Sequence, residues 1–203
     1  MIRLYFGLPG AGKTTHLARE AYKNRHRRRY KHVYTNVHLN MDGVIHIDNS
    51  YIGKYDLANS LILIDEATLF MDCRDYKQRD KTTKAIIEFM LLHRHYGCDI
   101  FFYSQAWDAL DKRIRTITDR VYYLQRCRFP FGLWFSKYYR IPYGIIIPDP
   151  KKDSSEKLGD IVQGYCKPSL FSRIFLTTRF FRPFYYKYFD SWEAPTLPPI
   201  PES

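Results

Sequence analysis

The sequence predicts an α/β fold: a mainly parallel sheet covered by helices on both faces. Three observations predict it. Apolar runs at Ile2–Phe6, Leu61–Ile64 and Ile100–Tyr103 lack regular polar alternation, which reads as strands buried on both faces. Helical patterns fall between them, as in Lys81–Tyr96, where Ile86, Ile87, Met90 and Leu91 recur at helical spacing. The first run also opens into Gly7-Leu8-Pro9-Gly10-Ala11-Gly12-Lys13-Thr14, a complete G-x-x-x-x-G-K-[ST] match. A phosphate loop between a strand and a helix assigns a P-loop NTPase core.

The elements follow in order. Ile2–Phe6 is the first strand, and Thr14 to about Asn24 the helix after the loop. His32–Val37 and Val44–Ile47 read as strands around the turn Asn40-Met41-Asp42-Gly43. Leu61–Ile64 is a strand closed by two acids, and Lys81–Tyr96 a helix. Ile100–Tyr103 is a strand, Asp108–Arg115 a helix, and Arg120–Leu124 a strand, which completes the sheet near residue 125. Residues 1–127 therefore form the ATPase core. Residues 128–150 add an antiparallel β-hairpin, since Phe129–Ile147 is aromatic and aliphatic with breaks at Gly132 and Pro142-Tyr143-Gly144. Residues 151–203 hold a charged linker, an aromatic and basic stretch at Pro168–Trp192, and a tail with four prolines.

The loop chemistry needs its residue types. Gly7, Pro9, Gly10, Ala11, Gly12, Lys13, Thr14 and Thr15 are the expected nucleotide-binding residues. Glycines let backbone N–H groups turn inward on phosphate oxygens. Lys13 brings a mobile charge to the β- and γ-phosphates, Thr14 a hydroxyl for Mg²⁺, and the helix its positive end. The expected cofactors are ATP and Mg²⁺. Asp65 closes the Leu61–Ile64 strand and is placed to reach the metal, so Thr14 and Asp65 are the metal candidates. Glu66 beside it is placed to polarise an attacking water. Gln105 closes the next apolar strand, expected between the loop strand and the acid-bearing strand, in reach of the γ-phosphate. His93 and His95 read as surface residues.

The composition, 45% hydrophobic and 26% charged over 203 residues, is globular. The net charge of +11 suggests a polyanionic partner, nucleic acid or an anionic membrane. The densest basic run, Arg25–His32, fits phosphate contacts or a solvated helix end. The aromatic and basic stretch fits a membrane interface, base stacking, or packing on the sheet. Cys73, Cys98, Cys127 and Cys166 lack metal-binding spacing and read as free thiols in a reducing cytoplasm. No signal-peptide pattern precedes the loop, and no run of about 18 apolar residues spans a bilayer.

Four features together resemble the Zot (zonula occludens toxin) family, which includes the gene I assembly proteins of filamentous phages. They are Gly7–Thr14, Leu61–Ala67, Ser104-Gln105 closing a strand, and Asp111-Lys112-Arg113-Ile114-Arg115 ahead of Asp119–Tyr123. They cover roughly residues 1 to 130. The resemblance implies an ATPase motor for phage assembly and extrusion at the cytoplasmic face of the bacterial inner membrane. It implies a homo-oligomeric ring, with phage assembly proteins, coat protein, and single-stranded DNA or its covering protein as partners. Family members continue into a transmembrane helix; this sequence has no such run, and either the chain is the soluble part of a split product or it docks by another route. Within the family's D-K-x-x-R stretch, Arg115 is the candidate arginine acting on a neighbour's nucleotide, so the catalytic set is Lys13, Glu66, Gln105 and Arg115. A small phosphotransferase and a nucleotide-gated scaffold that binds DNA or membrane remain the alternatives.

Overall fold

A computed structural model describes residues 1–67, 80–106, 110, 112–128, 131–141, 143–146, 162–165 and 177–190. The strands are β1 (Ile2–Phe6), β2 (His32–Thr35), β3 (Val44–His46), β4 (Ser60–Ile64), β5 (Asp99–Ser104), β6 (Arg120–Arg126), β7 (Phe135–Ile141), β8 (Tyr143–Ile146), β9 (Val162–Tyr165) and β10 (Thr177–Phe181). The helices are α1 (Lys13–Arg27), α2 (Asp80–Leu92), α3 (Lys112–Ile117) and α4 (Pro183–Tyr186). Eight strands form one sheet in the order β10-β7-β6-β1-β5-β4-β2-β3, and β8 pairs with β9 apart from it. From β6 to β3 every pair is parallel, while β7 and β10 are antiparallel additions at one edge.

The central strands explain the long apolar runs. Successive side chains of a strand point to opposite faces, and here both faces are covered. Ile2, Leu4, Phe6, Ile62, Ile64, Ile100 and Phe102 pack on Ile86, Phe89 and Met90 of α2 and Ile114 of α3. On the other face Tyr5, Leu61, Leu63, Phe101 and Tyr103 pack on Leu17 and Ala21 of α1. Each such aliphatic side chain contributes about 1.5–3 kcal/mol by leaving water. Exposed Arg25 and Arg27 lie in the last turn of α1, with Arg28 and Arg29 directly after it, and basic groups in a last turn offset the helix dipole.

Several expectations are corrected. The sheet is not complete near residue 125: β7 pairs along all of β6 from Val121 to Arg126, and β10 then pairs with β7. The hairpin expected within 128–150 uses β6 as its first arm, because β6 offers an open edge that an antiparallel strand satisfies. β8 turns instead to β9, a strand the sequence reading did not include. Of the three readings offered for the aromatic stretch, packing on the sheet holds for Phe180, which is 5% exposed and packs with Ala11 and Leu124. His93 is buried, with Nδ1 2.6 Å from the Met90 carbonyl, and is not a surface residue. Cys98 and Cys127 are free thiols. Cys73, Cys166, Asp108, Asp111, the linker 151–157, the stretch 166–176 and the tail from 191 lie outside the described residues. Among the described residues, no helix is long and apolar enough to cross a membrane.

His16, in the first turn of α1, is fully buried among Tyr5, Tyr103, Tyr138 and Phe180, with Nδ1 2.9 Å from the Tyr103 hydroxyl. Burial pushes its pKa down to about 3; Glu20 opposes the shift, and Arg19 and Lys23 reinforce it. The unfolded chain, with an ordinary histidine, takes up more protons as pH falls below 6.5, so this group contributes stability that is lost on acidification. Lowering pH from 7 to 5 should remove about 2 kcal/mol through His16. Urea unfolding at both pH values checks this: a His16→Phe variant should show a flatter pH dependence, and an identical slope would refute it.

Candidate functional site

The parallel strands end on one side of the sheet, and the loops leaving β1, β2, β4 and β5 meet there. The phosphate loop follows β1, its Gly7 N–H donating to the Ser104 carbonyl at 3.2 Å. Gly10 and Gly12 take φ of 71° and 96°, left-handed values that side-chain-bearing residues adopt with strain. They turn the chain from β1 into α1, whose N-terminal N–H groups face the cleft mouth. Lys13 is 7% exposed and its Nζ donates to the Gly7 carbonyl at 3.1 Å, across the loop's concavity.

Opposite the loop stands the acid pair. Thr14 Oγ1 donates to Asp65 Oδ2 at 2.6 Å. Burial raises the Asp65 carboxyl above the usual range, against the pull of Thr14, the Glu66 N–H and Lys13. Two oxygen donors this close suit a hard divalent cation that takes its remaining ligands from phosphates and water. Among the described residues no group of three or more His, Cys, Asp or Glu side chains is placed to hold a metal. Glu66 takes a φ of 46°, its N–H donates to Asp65 Oδ1 at 2.9 Å, and its Oε1 accepts from Gln105 Nε2 at 3.1 Å. β5 lies between β1 and β4, as expected, which sets Gln105 beside the acids.

One cleft of about 1370 Å³ is lined by Pro9, Gly10, Gly12, Lys13, Thr14, Thr15, Asp65, Glu66 and Gln105. Arg115 is not among its lining residues. Its carbonyl accepts from Thr118, and Asp119 bonds Ile2, so α3 ends at the start of β1. A strand of five residues separates that point from the loop, about 16 Å at 3.3 Å per residue. Among the lining residues that were missed, three touch the acid pair or the loop. Asn36, just after β2, clamps the Asp65 backbone, donating to its carbonyl at 2.9 Å and accepting its N–H at 2.8 Å. Arg126 ends β6 and its Nε donates to the Gly10 carbonyl at 2.6 Å. Arg182, after β10, sits beside Gly12. The signal for Asn36 and Arg126 was the one used for Gln105, a polar residue closing an apolar strand. Arg182 had none, because β10 itself was not foreseen.

A family model described as "Zonular occludens toxin (Zot)" matches residues 40–159, more than half of the 203-residue chain. The chain belongs to the Zot family. Among solved structures it is similar to the N-terminal domain of zonular occludens toxin from Neisseria meningitidis. That likeness has 18% identity and a TM-score of 0.53, over 85% of this chain and 96% of that one. A weaker likeness is to B204, the DNA-packaging ATPase of Sulfolobus Turreted Icosahedral Virus, at 14% identity, 68% and 91% coverage and a TM-score of 0.48. None of the curated proteins matches the chain significantly. The Zot match begins after the phosphate loop, so the family assignment and the Gly7–Thr14 motif are separate observations. The fold is that of the P-loop NTPases.

Asp65 is a carboxylate whose burial weakens the fold. Its raised pKa means the folded state disfavours the ionised form, so above that pKa the charge subtracts from stability. Asp65→Asn should therefore match or exceed the parent's urea midpoint at pH 7 while losing Mg²⁺-dependent nucleotide binding. A clearly lower midpoint would mean that the Thr14 and Glu66 hydrogen bonds outweigh the burial cost.

Proposed function

We propose that the chain is a Mg²⁺-dependent ATPase that drives filamentous phage assembly and extrusion, as a homo-oligomeric ring at the cytoplasmic face of the bacterial inner membrane. The observation that carries the enzymatic part is the second acid. Glu66 reaches Gln105 at the rim of the cleft that Lys13 and Thr14 line. A phosphotransferase attacks with an acceptor hydroxyl; a hydrolase must activate water, and a free carboxylate beside the terminal phosphate does so. Glu66 takes the water's proton as its oxygen bonds the γ-phosphorus, and the bond to the ADP oxygen breaks. Lys13 and the α1 N-terminus meet the negative charge. Thr14 and Asp65 would hold Mg²⁺, which would neutralise phosphate charge.

The phage-assembly part rests on Zot family membership, with assembly proteins and coat protein as partners. The +11 charge favours single-stranded DNA, its covering protein or an anionic membrane as a further partner. The exposed Phe131, Leu133 and Trp134 at the β6–β7 tip suit a membrane face. Arg115, remote from its own cleft, serves a neighbour's in this reading. Its planar fork neutralises the γ-phosphate in trans, a contribution of about 10³-fold or more.

Lys13→Ala should abolish ATP binding. Glu66→Gln should bind ATP normally and hydrolyse it at least about a hundredfold slower without any acceptor present; normal turnover would remove the motor reading's main support. Arg115→Ala should bind but not hydrolyse, and mixing it with Lys13→Ala should restore part of the activity. Co-assembled mixtures without rescue would count against a shared site.

A further inference from the structure

The chain after β10 crosses the sheet as a strap. Arg182 N–H donates to the Trp134 carbonyl at 2.7 Å at one end. The strap then lies over α1, where Tyr22 meets Phe184 and Tyr188 at centroid distances of 5.3 and 5.8 Å. At the far end the Tyr188 carbonyl accepts the Asn40 N–H at 2.8 Å. Toward and just beyond the far anchor, two aromatic rings line the same cleft as the phosphate loop: Tyr186, 40% exposed, and Phe189. They meet edge to face, 6.2 Å apart at 81°, and so form a corner.

The strap also brings charge. The Arg182 Nε is buried without a hydrogen-bond partner and lies 3.5 Å from where a Gly12 Cβ would stand. The Arg126 guanidinium lies against Gly10. Burial, and the like charge of Arg126, hold the Arg182 pKa below its usual value despite the opposing pull of Tyr186. Two guanidiniums set together over a loop that carries Lys13 form a site suited to a polyanion.

The direction of the ligand follows from the sheet order. The acid pair lies on the β4–β5 side of β1, and Arg126 and β10 on the β6 side. A linear triphosphate with its terminal phosphate by Glu66 therefore leads its ribose past Thr15 toward Arg182, where the strap begins before it runs over α1 to Asn40. We infer that the strap supplies the second half of a nucleotide site: Arg126 and Arg182 hold the phosphates nearest the ribose, and the Tyr186–Phe189 corner receives the base by stacking. The inference rests on Gly7–Thr14 being a triphosphate loop. Stacking on a ring is tolerant of base identity, so the corner selects for a nucleoside over bare phosphate rather than for one base.

Titration calorimetry of the full chain with Mg²⁺ and either ATP or inorganic tripolyphosphate separates the parts. Tyr186→Ala and Phe189→Ala should each weaken ATP by roughly tenfold and leave tripolyphosphate unchanged. Tyr186→Phe, which keeps the ring, should bind ATP like the parent. Arg182→Gln should weaken both ligands by roughly tenfold. Urea midpoints near the parent's confirm that each variant is folded. Aromatic variants that bind ATP like the parent, or that weaken both ligands equally, overturn the base corner. Lys13→Ala is the separate control: if it leaves tripolyphosphate binding intact, the loop reading falls and the strap with it. If it abolishes binding while the strap variants do nothing, the strap alone is refuted.

Discussion

The site hangs on one hydrogen bond, Thr14 Oγ1 to Asp65 Oδ2 at 2.6 Å. It joins the first turn of α1 to the end of β4, reaching past β5, which lies between β1 and β4. Its geometry is possible only because the strands are parallel and end level, so that a helix leaving one strand faces the carboxylate ending another. Asn36 fixes the other partner by holding both backbone groups of Asp65. A buried carboxylate is costly, and without those fixed donors the chain after β4 would turn it toward water.

Charge is divided across the cleft in the same way. Asp65 and Glu66 lie on the β4 side, while Lys13, Arg126 and Arg182 lie around the loop and toward β6. The division makes one end fit for a metal and water and the other fit for anionic oxygens. The antiparallel edge creates the cationic end. β7 brings Ser136 to the Ala11 carbonyl at 2.7 Å, and β10 brings Phe180 under Ala11. The loop is thus held from outside by residues more than a hundred positions away in sequence.

That distance explains what the sequence could not convey. The core strands were legible because parallel strands buried on both faces have an unmistakable apolar run, and the phosphate loop because its geometry is local. Asp65, Glu66 and Gln105 were legible as polar residues closing such runs. Phe180 in β10 stands between Arg179 and Phe181 rather than in a long apolar run, its strand pairs with β7 far back along the chain, and aromatic–basic composition fits membrane, base and core alike. Arg115 came from family resemblance rather than from a strand end, and it falls outside its own chain's cleft. Arg126 carried a readable signal, a charge closing the strand beside the loop, and its meaning depended on knowing that β6 adjoins β1.

Glu66 is where local geometry departs from preference. Among the described residues three non-glycines have positive φ: Arg28, Asn59 and Glu66. Arg28 caps a helix and Asn59 is a residue type that tolerates the left-handed region, so neither is unexpected. Glu66 has neither excuse, and the conformation costs on the order of 1 kcal/mol. It is held by its own N–H on Asp65 and by the Gln105 amide on its carboxylate. The turn sends the side chain back over the sheet to the tip of β5, where an extended continuation of β4 would carry it away. β5 in turn is bonded to the loop through Ser104 and Gly7. The phosphate loop is therefore joined to Glu66 by two hydrogen bonds and one strand end, Gly7 to Ser104 and Gln105 to Glu66.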